Sequence, residues 1–313
     1  MIARAPGKLV VSGAYSVLAG APSIVVAVDR YAVADTSHPP ERVTDEVRAA
    51  IEAGEIKHAP WFDASALRAR LADGRDVKLG LGSSAAILVA SMAAAWAHED
   101  RTLDNRELFA GALAAHREAQ GGGSGIDVAA STFGGGLVCR LAPDGALRVE
   151  PHQLPTGASL SVFASPVSAS TPELVGRVRA FSRAAPAAYA DLLTEATSGA
   201  QRAATAATVA DLLAGLRTQA RALSALGDAA GAPIFTPDVV ALARVADDEG
   251  AVFYPSGAGG GDVAIFAGER PPSERFHREA EALGRLHLDA ALGALGVHLV
   301  STSFPSATPA LAV

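Results

Sequence analysis

A glycine cluster that runs straight into helix-forming sequence constrains this chain more than any other feature, and it occurs twice. KLGLGSSAAILVA (78–90) and AQGGGSGIDVAAS (119–131) both pass from glycine into short apolar, alanine-rich runs. A third cluster, YPSGAGGGDVAIF (254–266), joins two strand-like runs. In the first, Gly80 and Gly82 allow backbone N–H groups to approach a ligand closely. Ser83 and Ser84 add hydroxyls, and a helix start adds its positive dipole end, which together suit a phosphate. A plain helix N-cap by Ser83 or Ser84 accounts for the same residues. In the second, glycines flank Ser124 and Asp127 heads a short helix. Asp127 is either a helix-start carboxylate or a catalytic one placed beside a phosphate. The third is richer in glycine than a hairpin needs, so close backbone approach to a ligand is expected there. Asp262 is expected to organise that turn.

Two familiar phosphate motifs are excluded. Gly80, Gly82 and Ala85 fit G-x-G-x-x-A, but the preceding ARLADGRDVK is too charged for the buried strand a dinucleotide fold requires. No Gly-Lys-Ser/Thr closes the loop as a P-loop would.

Composition narrows the class. The 313 residues are 50% hydrophobic and 19% charged, enough for a sizeable core. Net charge is -7, which argues against nucleic acid as the main partner. It leaves room for an anionic small ligand held by a few local cations. The single cysteine, Cys139, excludes an internal disulfide and a cysteine-rich zinc site. No leader-like segment opens the chain, and its apolar runs break before the roughly 20 residues of a membrane span. The expectation is a cytoplasmic protein, away from membranes, acting as a monomer or homodimer.

Along the chain, KLVVSG and SIVVAVD predict paired strands joined by AYSVLAGAP. Residues 38–76 look charged and helix-like. Helices are expected over 87–97 and 105–120, and a hairpin about Pro143-Asp144-Gly145. Beyond a composition shift near Pro155 come a strand in SLSVFASPV, helix over TPELVGRVRAF and 186–227, and strand–loop–strand through 251–269. A helix over 273–286, a strand near 297–302 and a frayed tail end the chain.

Three such loops in this order resemble the GHMP kinases. APGKLVVSGAY (5–15) looks like that family's first motif, GLGSSAA (80–86) its second and SGAGGGD (256–262) its third. AHREAQGGGSGIDVAASTFGG (115–135), Lys78 before GLGSS, and SASTPELVGRV (168–178) are similar to the phosphomevalonate kinase branch. Pro255 departs from it, since some members carry lysine there. Ala14 stands where other branches have glutamate.

The resemblance implies an α+β, two-lobed fold: a ribosomal-S5-like N-terminal domain (1–155) and a ferredoxin-like C-terminal domain (156–313). It implies transfer of the ATP γ-phosphate with Mg²⁺ to phosphomevalonate. ATP would lie on Gly80, Leu81, Gly82, Ser83, Ser84 and Ala85, with Ser84 touching metal or phosphate. Lys8 and Asp127 would be the catalytic pair. Tyr15, Lys78, Ser124, Gly125, Ser170, Ser256, Gly257, Ala258 and Gly259 would meet the acceptor. Ser168, Thr171 and Arg117 are further candidates, with helix capping the alternative for Ser170 and Thr171 and a solvated face for Arg117. Where mevalonate kinases hold metal with glutamate, this chain has His116, expected to be a packing or capping residue; Glu118 is out of register. Because the second pKa of a phosphate acceptor is near 6, Asp127 is expected to orient Lys8 and the metal rather than remove a proton. The alternatives are mevalonate kinase, another GHMP small-molecule kinase, or a silent nucleotide-binding regulator.

Overall fold

The computed structural model describes residues 1–70, 76–165 and 171–300. In chain order the elements are β1 (Ile2–Val10), β2 (Ser23–Asp35), α1 (Asp45–Glu52), β3 (Trp61–Asp63), β4 (Arg68–Arg70), β5 (Asp76–Lys78), α2 (Ser83–His98) and α3 (Asn105–Gln120). They continue with α4 (Ile126–Phe133), β6 (Gly136–Leu141), β7 (Leu147–Pro151), β8 (Ser159–Ala164), α5 (Thr171–Ala184), α6 (Pro186–Ala204) and α7 (Val209–Ala230). Last come α8 (Pro237–Asp248), β9 (Val252–Pro255), β10 (Val263–Gly268), α9 (Glu274–Ala282), β11 (Leu286–Leu288) and β12 (His298–Val300).

Two compact units interleave along the chain. The first is Met1–Leu9, Val25–Leu137 and Ala290–Val313; the second is Val10–Ile24 and Val138–Asp289. Sequence reading expects instead a single cut after residue 155.

In the first unit, β12, β1 and β2 are successive neighbours, and β3 pairs with the end of β2. β12 runs antiparallel to β1, with Ile2 opposite Val300. α2 is apolar on every side and buried along nearly its whole length, as a central core helix must be. α3 starts on Asp104, whose side chain accepts from Arg106 and Glu107 N–H, and stops at Gly121 in the left-handed region. α4 is tied to β1 by Ser131 Oγ, which donates to the Pro6 carbonyl at 2.8 Å.

In the second unit the sheet order is β11-β8-β10-β9, all antiparallel. Phe163, Phe253, Phe266 and Phe276 form its core in edge-on pairs. α6 and α7 pack so closely that a Cβ on Gly199 would meet Gln219 N at 2.6 Å, and one on Gly215 would meet Ala203 N at 2.6 Å.

Three expectations need correction. Among the described residues of 38–76 there is one α-helix, α1; Trp61–Asp63 instead extends the sheet, and a short 3-10 turn at Ser65–Leu67 leads into β4. The helical stretch 186–227 is a hairpin, broken where Thr208 caps α7 by accepting from Asp211 N–H. The helix expected to 286 ends at Ala282, and Leu286–Leu288 adds β11 to the sheet. The tail and residues 301–302 lie outside the described residues, as do Ser168 and Ser170.

Candidate functional site

The glycine loop between β5 and α2 is built by backbone geometry. Gly80 and Gly82 both have positive φ, 70° and 76°. Gly82 is the N-cap of α2 and has no side chain to cap with; Ser83 and Ser84 are the first two helical residues. This overturns the serine-cap alternative. The first-turn N–H groups of α2 therefore lack a side-chain cap, and that turn carries no acid of its own. Such an end favours an anion.

Lys8 comes to this loop from β1. Its backbone N–H donates to Leu81 O at 2.8 Å and its Nζ to Gly80 O at 3.2 Å. Gly82 accommodates the lysine stem: a Cβ there would stand 3.1 Å from Lys8 Cγ and Cε. Lys78 is exposed on β5, opposite Arg68.

The second loop ends at Gly125, the N-cap of α4, again in the left-handed region and without a side-chain cap. Asp127 Oδ1 accepts from Val128 N–H at 3.0 Å, so the helix-start role is real. Its Oδ2 lies 3.4 Å from Nε2 of His116. His116 is 3% exposed, and neither ring nitrogen makes an aligned hydrogen bond. Asp127 and Ser131 are one helical turn apart, and Ser131 bonds Pro6, two residues before Lys8 on β1. Arg117 lies over the second loop, with Nη2 3.5 Å from Ser124 O.

A carboxylate that sequence reading missed completes this unit's cluster. Glu46, in the first turn of α1, is 7% exposed. Gln120 Nε2 donates to it at 3.0 Å. Burial pushes its carboxyl up, but hydrogen bonds from Gln120, its own backbone, Thr44 and Ser84 outweigh that and hold it below the ordinary carboxylate value.

In the second unit the third loop serves partly structural ends. Ser256 is buried; its Oγ accepts from Val10 N–H at 2.9 Å and lies 3.2 Å from Val10 O. That hydroxyl is committed to the chain itself, which narrows the acceptor-binding expectation for Ser256. Gly259 is required by its own neighbour, since a Cβ would meet Ile234 O at 2.3 Å. Gly257 has positive φ, and a Cβ there would make only an ordinary 3.9 Å contact with Val10 Cγ2. Tyr15, with φ 60°, is buried and donates to Ala258 O at 2.7 Å, and burial pushes its phenol up. It supports the loop directly.

Known proteins carry the same architecture. The family "GHMP kinases N terminal domain" matches residues 47–135. A phosphomevalonate kinase of Streptomyces sp. (strain CL190) is 31% identical over 335 residues, spanning 85% of this chain and 89% of the relative. This chain is a GHMP kinase. The fold is accordingly the α+β fold of that family, and the protein is an ATP-dependent kinase of the mevalonate-pathway group. A mevalonate kinase of Archaeoglobus fulgidus is also 31% identical, over 150 residues that cover 43% of the kinase and 51% of the relative. Among solved structures, a Listeria innocua protein superposes with TM-score 0.80 at 23% identity, covering 95% of this chain and 99% of that one. Phosphomevalonate kinase of Streptococcus pneumoniae, in complex with phosphomevalonate and AMPPNP, gives 0.74 at 18% identity over 93% and 99%.

Proposed function

We propose that this kinase transfers the γ-phosphate of ATP to 5-phosphomevalonate, yielding 5-diphosphomevalonate and ADP. The observation that carries the reading is the reach of the relatives. The phosphomevalonate kinase relative spans 85% of the chain, whereas the mevalonate kinase relative spans 43%.

An acceptor phosphate oxygen attacks the γ-phosphorus; the bond from phosphorus to the β-phosphate oxygen breaks, and ADP leaves. The acceptor is mostly dianionic at pH 7, so no strong base is called for. Asp127 fits that economy, with one oxygen engaged by Val128 N–H and the other facing His116. It orients groups rather than removing a proton. Lys8, held at the glycine loop, neutralises charge on the transferred phosphoryl. The first-turn N–H groups of α2 hold the nucleotide phosphates.

Mg²⁺ fits the donor set present here. Ser84 offers a hard oxygen ligand beside the buried Glu46 carboxylate. Among the described residues no three His, Cys, Asp or Glu side chains converge as a metal cage, so the ion would be held largely by nucleotide phosphates, as Mg²⁺ commonly is. When bound it would supply charge neutralisation across the β- and γ-phosphates. No helix of the described residues is long and apolar enough to cross a membrane.

The test is turnover, read as ADP release, on phosphomevalonate, mevalonate, homoserine and galactose offered separately. Phosphomevalonate is expected to give the highest kcat/KM. Turnover confined to mevalonate or a sugar would overturn the reading, and nucleotide binding without turnover on any acceptor would favour a silent regulator.

A further inference from the structure

His116 is a polar side chain where its surroundings ask for an apolar one. It lies among the buried residues of α3, with Leu108, Ala112, Leu113 and Ala115, and is 3% exposed. Neither ring nitrogen has a hydrogen-bond partner. An unpaired buried polar group costs free energy that an apolar side chain in the same space would not. Packing alone therefore does not account for an imidazole here. Capping does not account for it either, because the ring bonds no carbonyl at the end of α3, which Gly121 closes by donating to Arg117 O and Glu118 O.

What the ring does face is a carboxylate on the next helix. α3 packs on α4, and His116 Nε2 stands 3.4 Å from Asp127 Oδ2. No other carboxylate among the described residues pairs with His116. The two side chains differ in access: that of Asp127 is 26% exposed and that of His116 only 4%. Asp127 can thus meet reactants while His116 stands behind it. The other carboxylate oxygen, Oδ1, accepts from Val128 N–H at 3.0 Å, but that donor belongs to the next residue and moves with α4. The terminal torsion of an aspartate is broad, so a contact from a second helix is what would fix the carboxylate plane.

We infer that His116 is a positioning residue for Asp127, donating from Nε2–H to Oδ2 and fixing the plane in which that carboxylate faces the reactants. A carboxylate only accepts, so the hydrogen of the pair is on Nε2. The 3.4 Å separation is longer than an ordinary hydrogen bond, as bonds at catalytic groups often are until substrate tightens them. The inference rests on the reading of Asp127 as the orienting carboxylate and deepens it. The buried ring sets the carboxylate, and the carboxylate sets the reacting groups.

The experiment is a double-mutant cycle on the intact chain, with ADP formation from ATP and phosphomevalonate read at steady state and, for slow variants, in single turnover with enzyme in excess. The variants are His116→Leu, His116→Gln, Asp127→Ala and Asp127→Ala/His116→Leu, each with a thermal melt. His116→Met, whose flexible stem fits irregular space, repeats the apolar test if His116→Leu does not fold. His116→Leu should lower kcat by about tenfold to 10²-fold, the scale of a misplaced catalytic group, with KM for both substrates changed by no more than about twofold. It should melt no lower than the wild type. His116→Gln, whose amide nitrogen can stand in for Nε2, should recover most of the lost kcat. On the Asp127→Ala background, His116→Leu should change the rate by no more than about twofold, since nothing is left to position. Wild-type kcat in His116→Leu, a loss confined to KM, no recovery in His116→Gln, or an undiminished loss on the Asp127→Ala background would each overturn the inference. If phosphomevalonate is not the acceptor, the same ratios are read with whichever screened acceptor turns over, and the acceptor reading falls alone. No turnover by the wild type on any of them would remove the kinase reading and this inference with it.

Discussion

Replacing Gly82 by alanine tests the link between loop geometry and catalysis. Gly82 has φ 76°, so any Cβ there costs about 1–2 kcal/mol of left-handed strain. The new Cβ would also stand 3.1 Å from Lys8 Cγ and Cε. The lysine stem is flexible and gives way by a few tenths of an ångström, which moves its ammonium off the Gly80 carbonyl. A misplacement approaching 1 Å at a catalytic group can cost on the order of 10²-fold in rate. Gly54 supplies the control, because it also has φ 76° but nothing lies within 4 Å of its would-be Cβ. Gly54→Ala carries the strain without the push. Both variants should melt lower, by ~2–4 °C per kcal/mol for a unit of this size. Only Gly82→Ala should lose kcat by tens of fold or more, measured as steady-state ADP release. Equal kcat in the two variants would refute the argument that Gly82 exists to seat Lys8.

Three further outcomes are expected. Lys8→Met should lower kcat by about 10²–10³-fold, as removal of one electrostatic donor does, with nucleotide affinity by calorimetry changed only a few-fold. Asp127→Asn should lower kcat on the order of 10²-fold with a loss that is flat across pH 6.5–9; recovery at high pH would show that Asp127 removes a proton. Arg285 is buried against Asp238 with Nε–Oδ2 2.5 Å, so Arg285→Met should destabilise the fold by about 3 kcal/mol, the low end for a broken buried pair because Asp238 keeps some exposure. Burial raises the Asp238 carboxyl, but Thr236 and Arg285 outweigh it and leave it below its ordinary value. Its stabilisation is therefore complete above the unfolded pKa near 3.9 and lost as pH falls through the lower folded value. Melts from pH 7 to pH 3 should show a steeper acid loss in the wild type than in Arg285→Met.

One long helix, α3, was legible because both its ends and its face were written locally, whereas α6 and α7 ran together into a single expected helix. Asp104 and Gly121 bracket α3, and apolar residues recur between them at helical spacing. The loops were legible as special backbone because glycine readily supplies their positive φ values. The three-residue strands β4, β5 and β11 left no periodic trace, since a window that short holds no period. Glu46 was invisible for a different reason. It sits among Asp45, Arg48 and Glu52 in a segment that reads as solvated, and only the packing of α1 on α3 buries it. Ser256 misled in the opposite sense. It stands in a glycine loop that looks made for ligands, yet its hydroxyl is taken by Val10. Arg285, beside a helix end, gave no hint of its buried partner 47 positions earlier.

A late stretch of the first unit also closes it. Residues 290–300 pair with β1 through β12, and Gly134 and Gly296 meet so tightly that a Cβ on either would collide with the other's backbone. A ribosome building this polypeptide can thus assemble the second unit's sheet before it has emitted the strand that borders β1. Until residue 300 emerges, the opening strand waits with one flank bare, and a chaperone or a stalled neighbour has its chance to claim it.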